Sequence, residues 1–223
     1  YACSVCPAGT FKDTHGSAAC TSCRVNSFSP PMSTRMHNCT CNAGYQSPDG
    51  FLCDACPAGL YKDPAGISGC ITCPLYSNSL QGSTRFEECE CTLGYTLFSN
   101  ASCAACAAAK YKNTHGSALC TACPASSDSA PNSTRSEDCS CNIGFDGADG
   151  QECTACRAGK FKNVTGSAQC IQCRNHSDSP PQSTHADDCT CNAGYHGLDG
   201  AVCDACPTAT YKDLAATGGC VAC

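Results

Sequence analysis

Tryptophan is absent from this 223-residue chain, and large apolar side chains are scarce. Nine Leu, four Ile, five Val and seven Phe make 25 positions. That is about 11% of the chain, well under the roughly 20% below which a sequence is suspect as a folded globule. At about 25 cal/mol per Å² of apolar surface, burial alone cannot offset the backbone entropy of so many residues. Positive charge is also sparse. Thirteen Lys and Arg stand against 19 Asp and Glu, for a net charge of −6. The basic residues are scattered, which excludes a nucleic-acid partner, since a phosphate backbone needs them clustered. No apolar run approaches the ~18 residues that span a bilayer as a helix, so no membrane span is expected in this segment. No secretory leader pattern is visible and the chain opens on Tyr1. The expectation is a processed product, or the ordered part of a longer polypeptide.

Cysteine is what the chain has instead. There are 28, about one residue in eight. A covalent loop constrains the unfolded state, and closing about 15 residues contributes on the order of 3 kcal/mol. Such density belongs to an oxidising compartment, so the expected location is extracellular, secreted or on the cell surface.

The cysteines are periodic. Cys3, Cys53, Cys103, Cys153 and Cys203 fall at intervals of 50. So do the sets that begin at Cys6, Cys20, Cys23, Cys39 and Cys41, and these six sets hold all the cysteines. Other positions keep the same beat. An aromatic followed by Lys recurs at Phe11-Lys12, Tyr61-Lys62, Tyr111-Lys112, Phe161-Lys162 and Tyr211-Lys212. Gly followed by an aromatic recurs at Gly44-Tyr45, Gly94-Tyr95, Gly144-Phe145 and Gly194-Tyr195, and a Ser-Thr pair at Ser33, Ser83, Ser133 and Ser183. One aromatic per half-repeat suits a small core of one ring packed on a disulfide.

Insertions in isolated loops cost little. Constant length is a hint of regular stacking, in which each unit meets its neighbour in one orientation, and a beads-on-a-string chain of recently duplicated units would show it as well. The organisation expected is the end of a preceding repeat at 1–5, repeats at 6–55, 56–105, 106–155 and 156–205, and the start of a fifth at 206–223. Within each, short strands and turns are expected, with no sustained helical periodicity. Asp49-Gly50, Asp149-Gly150 and Asp199-Gly200 read as hairpin turns, replaced in the second repeat by Ser99-Asn100. Gly16, Gly66, Gly116 and Gly166 mark a second turn.

The sequence Cys39-x-Cys41-x-x-Gly44-Tyr45 followed by Cys53 has a form that resembles the C-terminal half of an EGF-like domain. The run from Cys6 to Tyr45, carried by Pro7, Gly9, Phe11, Lys12, Gly16, Cys20, Cys23, Ser27, Ser33, Cys39, Cys41 and Gly44, resembles the EGF-like part of the ephrin-receptor cysteine-rich region. It is similar to the wider ephrin-receptor-like repeat of extracellular proteins. The third repeat departs from the pattern at Ala107 and Ala109, the fourth at Arg157. The resemblance implies a small disulfide-rich fold of tandem EGF-like repeats, built of short β-hairpins and turns in an extended rod or solenoid. It does not imply a kinase or ephrin binding. An EGF-like pairing would join Cys6–Cys23, Cys20–Cys39 and Cys41–Cys53. It continues as Cys56–Cys73, Cys70–Cys89, Cys91–Cys103, Cys106–Cys123, Cys120–Cys139, Cys141–Cys153, Cys156–Cys173, Cys170–Cys189, Cys191–Cys203 and Cys206–Cys223. Cys3 and Cys220 would then lack partners. Six cysteines allow 15 arrangements, and a nearest-neighbour ladder with Cys6–Cys20 and Cys23–Cys39 is the competitor; both share Cys41–Cys53.

Ten C-x2-C pairs raise a zinc reading, and Cys3, Cys6, Cys20 and Cys23 have near-ribbon spacing. It leaves the Cys-x-Cys pair outside every site, so no metal and no cofactor are expected. Calcium-binding EGF domains carry acidic residues ahead of the first cysteine, but only Asp54-Ala55 separate Cys53 from Cys56. Five N-x-S/T sequons stand at Asn38, Asn100, Asn132, Asn163 and Asn175. Three of them, Asn38, Asn132 and Asn175, lie in the Ser/Thr/Pro-rich loop between the third and fourth cysteines, which holds Ser27, Ser29, Ser33 and Thr34 in the first repeat and Ser177, Ser179, Ser183 and Thr184 in the fourth and is also a candidate carrier of O-linked sugar. The histidines form no recurring set, and no Ser/His/Asp or paired-carboxylate arrangement repeats, so no catalytic residue is expected. The acidic pairs Glu87-Glu88, Glu137-Asp138 and Asp187-Asp188 read as solvated surface. The Lys after each aromatic is expected to lay its stem on apolar surface or to pair with a carboxylate. The function expected is structural: a repeat segment of an extracellular glycoprotein fibril, appendage or coat, partnered by itself or other coat components and by covalent glycans. The alternative is a ligand-binding or adhesion ectodomain, for which Tyr76, Phe86, Leu97 and Phe98 are the exposed apolar candidates.

Overall fold

The structure, a computed structural model, describes residues 4–47, 52–99, 102–215 and 218–223. Cys3, the Asp49-Gly50 turn and Asn100 lie outside the described residues, as does the side chain of Phe98. Two compact units are present: Tyr1–Ala104 with Thr114–Ala118, and Ala105–Asn113 with Leu119–Cys223.

Each unit is made of short disulfide loops carrying two-stranded sheets, with 3-10 turns the helical elements among the described residues. In the first repeat, Thr10–Phe11 pairs antiparallel with Thr21–Ser22, Ser27–Phe28 with Thr40–Cys41, and Tyr45–Gln46 with Asp54–Ala55. The same registers recur 50 residues on, for example Phe161 opposite Ile171 and Tyr195 opposite Ala205. Strands this short follow from the loops that hold them: bridges close separations of 14, 16 and 12 residues, and each loop must also turn. The Asp-Gly turns form as expected, with Gln151 N–H donating to Ala148 O and Ala201 N–H to Leu198 O, both at 3.0 Å.

The core is sulfur. Among the described residues the buried apolar side chains are half-cystines plus Phe11 and Phe161. Phe161 packs with Cys173 and Cys189, which are bridged, so one ring on one disulfide is the core of that module.

The bridges form the ladder. Cys6–Cys20, Cys23–Cys39 and Cys41–Cys53 recur as Cys56–Cys70, Cys73–Cys89, Cys91–Cys103, Cys106–Cys120, Cys123–Cys139 and Cys141–Cys153. Cys156–Cys170, Cys173–Cys189, Cys191–Cys203 and Cys206–Cys220 complete it. The interleaved pairs implied by the EGF resemblance are therefore corrected. Cys6–Cys23, Cys20–Cys39, Cys56–Cys73, Cys70–Cys89, Cys106–Cys123, Cys120–Cys139, Cys156–Cys173, Cys170–Cys189 and Cys206–Cys223 do not form. Cys20 and Cys23 flank the two-residue strand Thr21–Ser22, three positions apart, so their side chains leave in different directions and take different partners. The pairing of that strand with Thr10–Phe11 brings Cys6 to Cys20, and the 3-10 turn Met36–Asn38 ends at Cys39, which meets Cys23. Both pairs span a Cα–Cα distance of 5.7 Å, well within the normal range. Cys223 carries an exposed free thiol.

Candidate functional site: the loop-to-loop junction

With sulfur confined to closing loops, the residues that join one loop to the next become the site of interest. Within a repeat the join is made by serine. Gly9 N–H donates to Ser29 O and Lys12 N–H to Ser33 O, at 2.9 and 3.1 Å. The hydroxyl of Ser29 donates to Thr10 O, and those of Ser79, Ser129 and Ser179 donate to Leu60 O, Lys110 O and Lys160 O. Ser33, Ser83, Ser133 and Ser183 turn their hydroxyls onto the carbonyl three residues back. All eight serines are buried. This corrects the reading of Ser29, Ser33, Ser179 and Ser183 as sites for O-linked sugar. A small donor is needed where a second loop crosses the aromatic strand, and an unpaired buried carbonyl would cost about 1–3 kcal/mol.

Between one repeat and the next the join centres on a lysine. Gly44 N–H donates to Lys62 O at 3.0 Å, Cys56 N–H to Gly44 O at 2.8 Å, and Gly66 N–H to Cys41 O at 2.9 Å. Into this cradle runs the Lys62 side chain, only 1% exposed. Its ammonium donates to Tyr45 O at 2.6 Å and to Gly66 O at 2.8 Å. The first acceptor belongs to the preceding disulfide loop, the second to the turn of its own. The other unit repeats the arrangement. Lys162, 1% exposed, donates to Phe145 O at 2.6 Å and to Gly166 O, while Gly144 N–H donates to Lys162 O and Gly166 N–H to Cys141 O. Lys112 is also buried, at 2% exposure. Lys212 donates to Cys191 O at 3.1 Å. Lys12 stays partly exposed and donates to Gly16 O.

Burial pushes the Lys62 and Lys162 ammonium groups below the ordinary lysine range; for Lys162, Asp146 and Asp149 oppose that shift. Carbonyl dipoles rather than a carboxylate take the hydrogen bonds, which corrects the expectation of a stem on the surface or a simple ion pair. The period of 50 in a charged residue was the available signal: a solvated Lys has no reason to keep step with the sulfurs.

Glycine completes the junction. Gly144 has φ +78°, and a Cβ placed there would lie 2.6 Å from Gln182 O. Gly44, with the same φ, faces the carbonyl of Gly82 in the same way. Three consecutive disulfide loops therefore meet at this glycine.

The acidic pairs are not plain surface. Asp138 Oδ2 accepts from the Thr134 and Arg135 amides at 2.8 and 3.0 Å, and Asp188 Oδ2 from Thr184 and His185 at 2.7 and 2.9 Å. These hydrogen bonds hold both carboxyls below the usual carboxylate range. Glu88 is lowered first by the Thr84 hydroxyl. Asn38 fills the same place in the first repeat, its amide oxygen accepting from Arg35 N–H at 3.0 Å. Of the other sequons, Asn132, Asn163 and Asn175 are exposed. The aromatics of the second repeat are partly absorbed by packing: Tyr76 stacks on Tyr95 at 4.2 Å and Phe86 meets Tyr61 edge-on at 5.8 Å. His176 stacks on Tyr195 at 4.0 Å in the register of Tyr76 on Tyr95. Of the ribbon-spaced set, Cys6, Cys20 and Cys23 are held in disulfides, and Cys3 lies outside the described residues. Among the described residues no three His, Cys, Asp or Glu side chains are grouped to hold an ion, and no helix is long and apolar enough to cross a membrane. One buried oxygen each of Asp149 and Asp199 has no hydrogen-bond partner.

Residues 44–89 match the family described as tyrosine-protein kinase ephrin type A/B receptor-like. The matched span holds Gly44, Lys62 and Gly66 of the lysine junction and the Cys56–Cys70 and Cys73–Cys89 loops. Residues 44–89 are thus similar to an ephrin-receptor-like cysteine-rich repeat, and the cysteine spacing of that span recurs along the chain. The family is a receptor-like, disulfide-rich repeat and not a known enzyme class. Together with the bridge density it points to an extracellular setting. No curated protein matches the chain.

Proposed function

We propose that the chain is a structural segment of an extracellular glycoprotein, the repeating part of a fibril, surface appendage or coat. The observation that carries this reading is the recurrence of one junction in both units, on a spacing of 50 residues without insertion. A chain selected for a single binding site needs one distinctive repeat. A chain selected for regular extension needs every junction alike, and here Gly44, Lys62 and Gly66 are matched by Gly144, Lys162 and Gly166. The repeats run 6–55, 56–105, 106–155 and 156–205, with 206–223 opening a fifth. The array associates with itself or with other coat components. Asn132, Asn163 and Asn175 carry N-linked glycans that hydrate the surface. Asn38, half-buried with its amide oxygen engaged by Arg35 N–H, stays bare. Electron microscopy of native material is the test. Regular filaments or a periodic coat labelled by an antibody against this chain support the reading; dispersed particles only overturn it.

One observation favours a ligand-binding or adhesion ectodomain instead. The second repeat exposes Leu75, Tyr76 and Leu80 at 79%, 52% and 83%, where the fourth has Asn175, His176 and Pro180. Under that reading the dispersed form is the functional one. The glycan assignment is tested separately by releasing the glycans enzymatically in heavy-oxygen water, which marks each occupied Asn as a labelled Asp.

A further inference from the structure

We propose that Lys62 and Lys162 are positioning residues that lock successive disulfide loops together, each ammonium tying the carbonyl of the loop before it to the turn of the loop it belongs to. Three observations converge. The first is connectivity. Cys41–Cys53 and Cys56–Cys70 share no bridge, so only the two residues Asp54-Ala55 join them covalently. Lys62 reaches back across that gap to Tyr45 O, 17 residues away in sequence, while its second bond to Gly66 O holds the turn whose own amide donates to Cys41 O. The ammonium thus sits between two reciprocal contacts, one from each loop. The second is burial. A lysine whose role ended with its aliphatic stem would keep its ammonium in water. Here the whole side chain is covered and the nitrogen is solvated by carbonyl oxygens, an arrangement that exists only while both loops are in place. The third is recurrence. Lys162, with a preceding loop against it, repeats the two-carbonyl geometry of Lys62 in the other unit.

A lock of this kind sets the angle between loops that their own bridges already close. That use, stiffness in an extended array, rests on the structural reading given above; the lock itself does not, and its test needs no assembly. The experiment is native-state hydrogen exchange on the oxidised full chain and on Lys162→Met, which keeps the stem and removes the donors. The Gly144 and Gly166 amides, whose acceptors Lys162 O and Cys141 O lie across the junction, should exchange at least tenfold faster in the variant. The Cys173 amide, bonded to Gly159 O inside its own loop, should change less than twofold. Unchanged protection at Gly144 and Gly166 overturns the proposal. So does an equal loss at all three amides, which would make the lysine a general stability element. The unsubstituted chain supplies a second measurement that does not depend on the variant folding. An amine-acylating reagent should modify exposed Lys110 at least tenfold faster than Lys62 and Lys162, and equal rates overturn the lock. If filaments are missing from native material while the exchange and labelling results hold, the structural reading falls and the lock stands. Filaments with unprotected lysines give the reverse.

Discussion

Alanine at Gly144 and at Gly194 should destabilise the chain by different amounts, and the difference measures how closely three loops approach. Both glycines hold left-handed backbone, at φ +78° and +80°. An alanine Cβ there costs about 1–2 kcal/mol, partly offset because alanine also restricts the unfolded chain, for a net of about 1 kcal/mol. In the 223-residue chain that is the whole effect at Gly194, because no atom lies within 4 Å of the added carbon. At Gly144 the carbon would sit 2.6 Å from Gln182 O and 3.3 Å from its carbonyl carbon, backbone atoms that cannot rotate away. Gln182 is itself held by its N–H bond to Cys156 O at 2.8 Å. Relief therefore means moving one loop off another, and overpacking of this kind adds about 1–3 kcal/mol. Gly144→Ala should then cost about 2–4 kcal/mol. A repeat array does not unfold as one two-state body, so the assay is local: exchange of the Cys156 amide, which donates to Gly144 O, and of the Cys206 amide, which donates to Gly194 O. At 1.4 kcal/mol per factor of ten, the Cys156 rate should rise roughly thirtyfold to several hundredfold and the Cys206 rate about fivefold. Equal increases at the two amides would refute the inference that Gly144 is glycine because of the crossing loop.

Three further outcomes are expected. Non-reducing digestion with mass spectrometry should recover peptides joined by Cys6–Cys20 and Cys23–Cys39; a Cys20–Cys39 or Cys6–Cys23 peptide would restore the interleaved pairing. Ala109 holds φ +60° where the first, second and fourth repeats have Gly9, Gly59 and Gly159, so Ala109→Gly should stabilise its loop by about 0.5–1 kcal/mol. Slower exchange of the Cys123 amide, which donates to Ala109 O, is the check. The depressed carboxyls of Asp138 and Asp188 contribute stability that is complete above the ordinary Asp value of 3.8 and is lost as the pH falls through their lower folded-state values. The Thr134 and Thr184 amide resonances should therefore titrate with inflections below 3.8. The Arg35 amide, bonded to the uncharged Asn38, should show no inflection of that origin.

Much of the fold was legible in the sequence because it is written in cysteine, glycine and spacing. A shortage of apolar residues with a surplus of cysteine implied a sulfur core, and Phe161 on the Cys173–Cys189 bridge is that core. The Asp-Gly turns at 149–150 and 199–200 carry their geometry in their own residues. Connectivity was not legible from the resemblance, because the EGF-like form specifies intervals, and intervals of 14 and 17 residues close at almost the same entropic cost. What decides is which segments the strand pairing and the 3-10 turn bring together, with Cys6 at a Cα–Cα distance of 5.7 Å from Cys20 and Cys39 at 5.7 Å from Cys23. Ser29, Ser33 and Lys62 were misread for a different reason. Composition assigns Ser and Lys to the surface, and only their registration with the sulfurs betrays that they serve the interior.

The ladder also explains why residues other than cysteine must be periodic. Each bridge closes a separation of 12 to 16 residues, worth about 3 kcal/mol against the unfolded chain. None encloses or crosses the next. Interleaved bridges would have tied neighbouring segments to each other; nested within its own loop, each bridge stabilises that loop and says nothing about its neighbour. Between Cys53 and Cys56, or Cys153 and Cys156, lie two residues with soft φ and ψ at each. Covalent chemistry alone would leave such a joint free to turn. The direction of one loop relative to the next therefore has to be fixed by hydrogen bonds and close contacts, and these need specific groups: a glycine where a third loop crosses, a lysine to satisfy two carbonyls at once, a serine small enough to lie under a strand. Substituting a junction residue should loosen orientation before it loosens any loop, whereas removing one cysteine pair should unfold a loop and leave the remaining junctions intact.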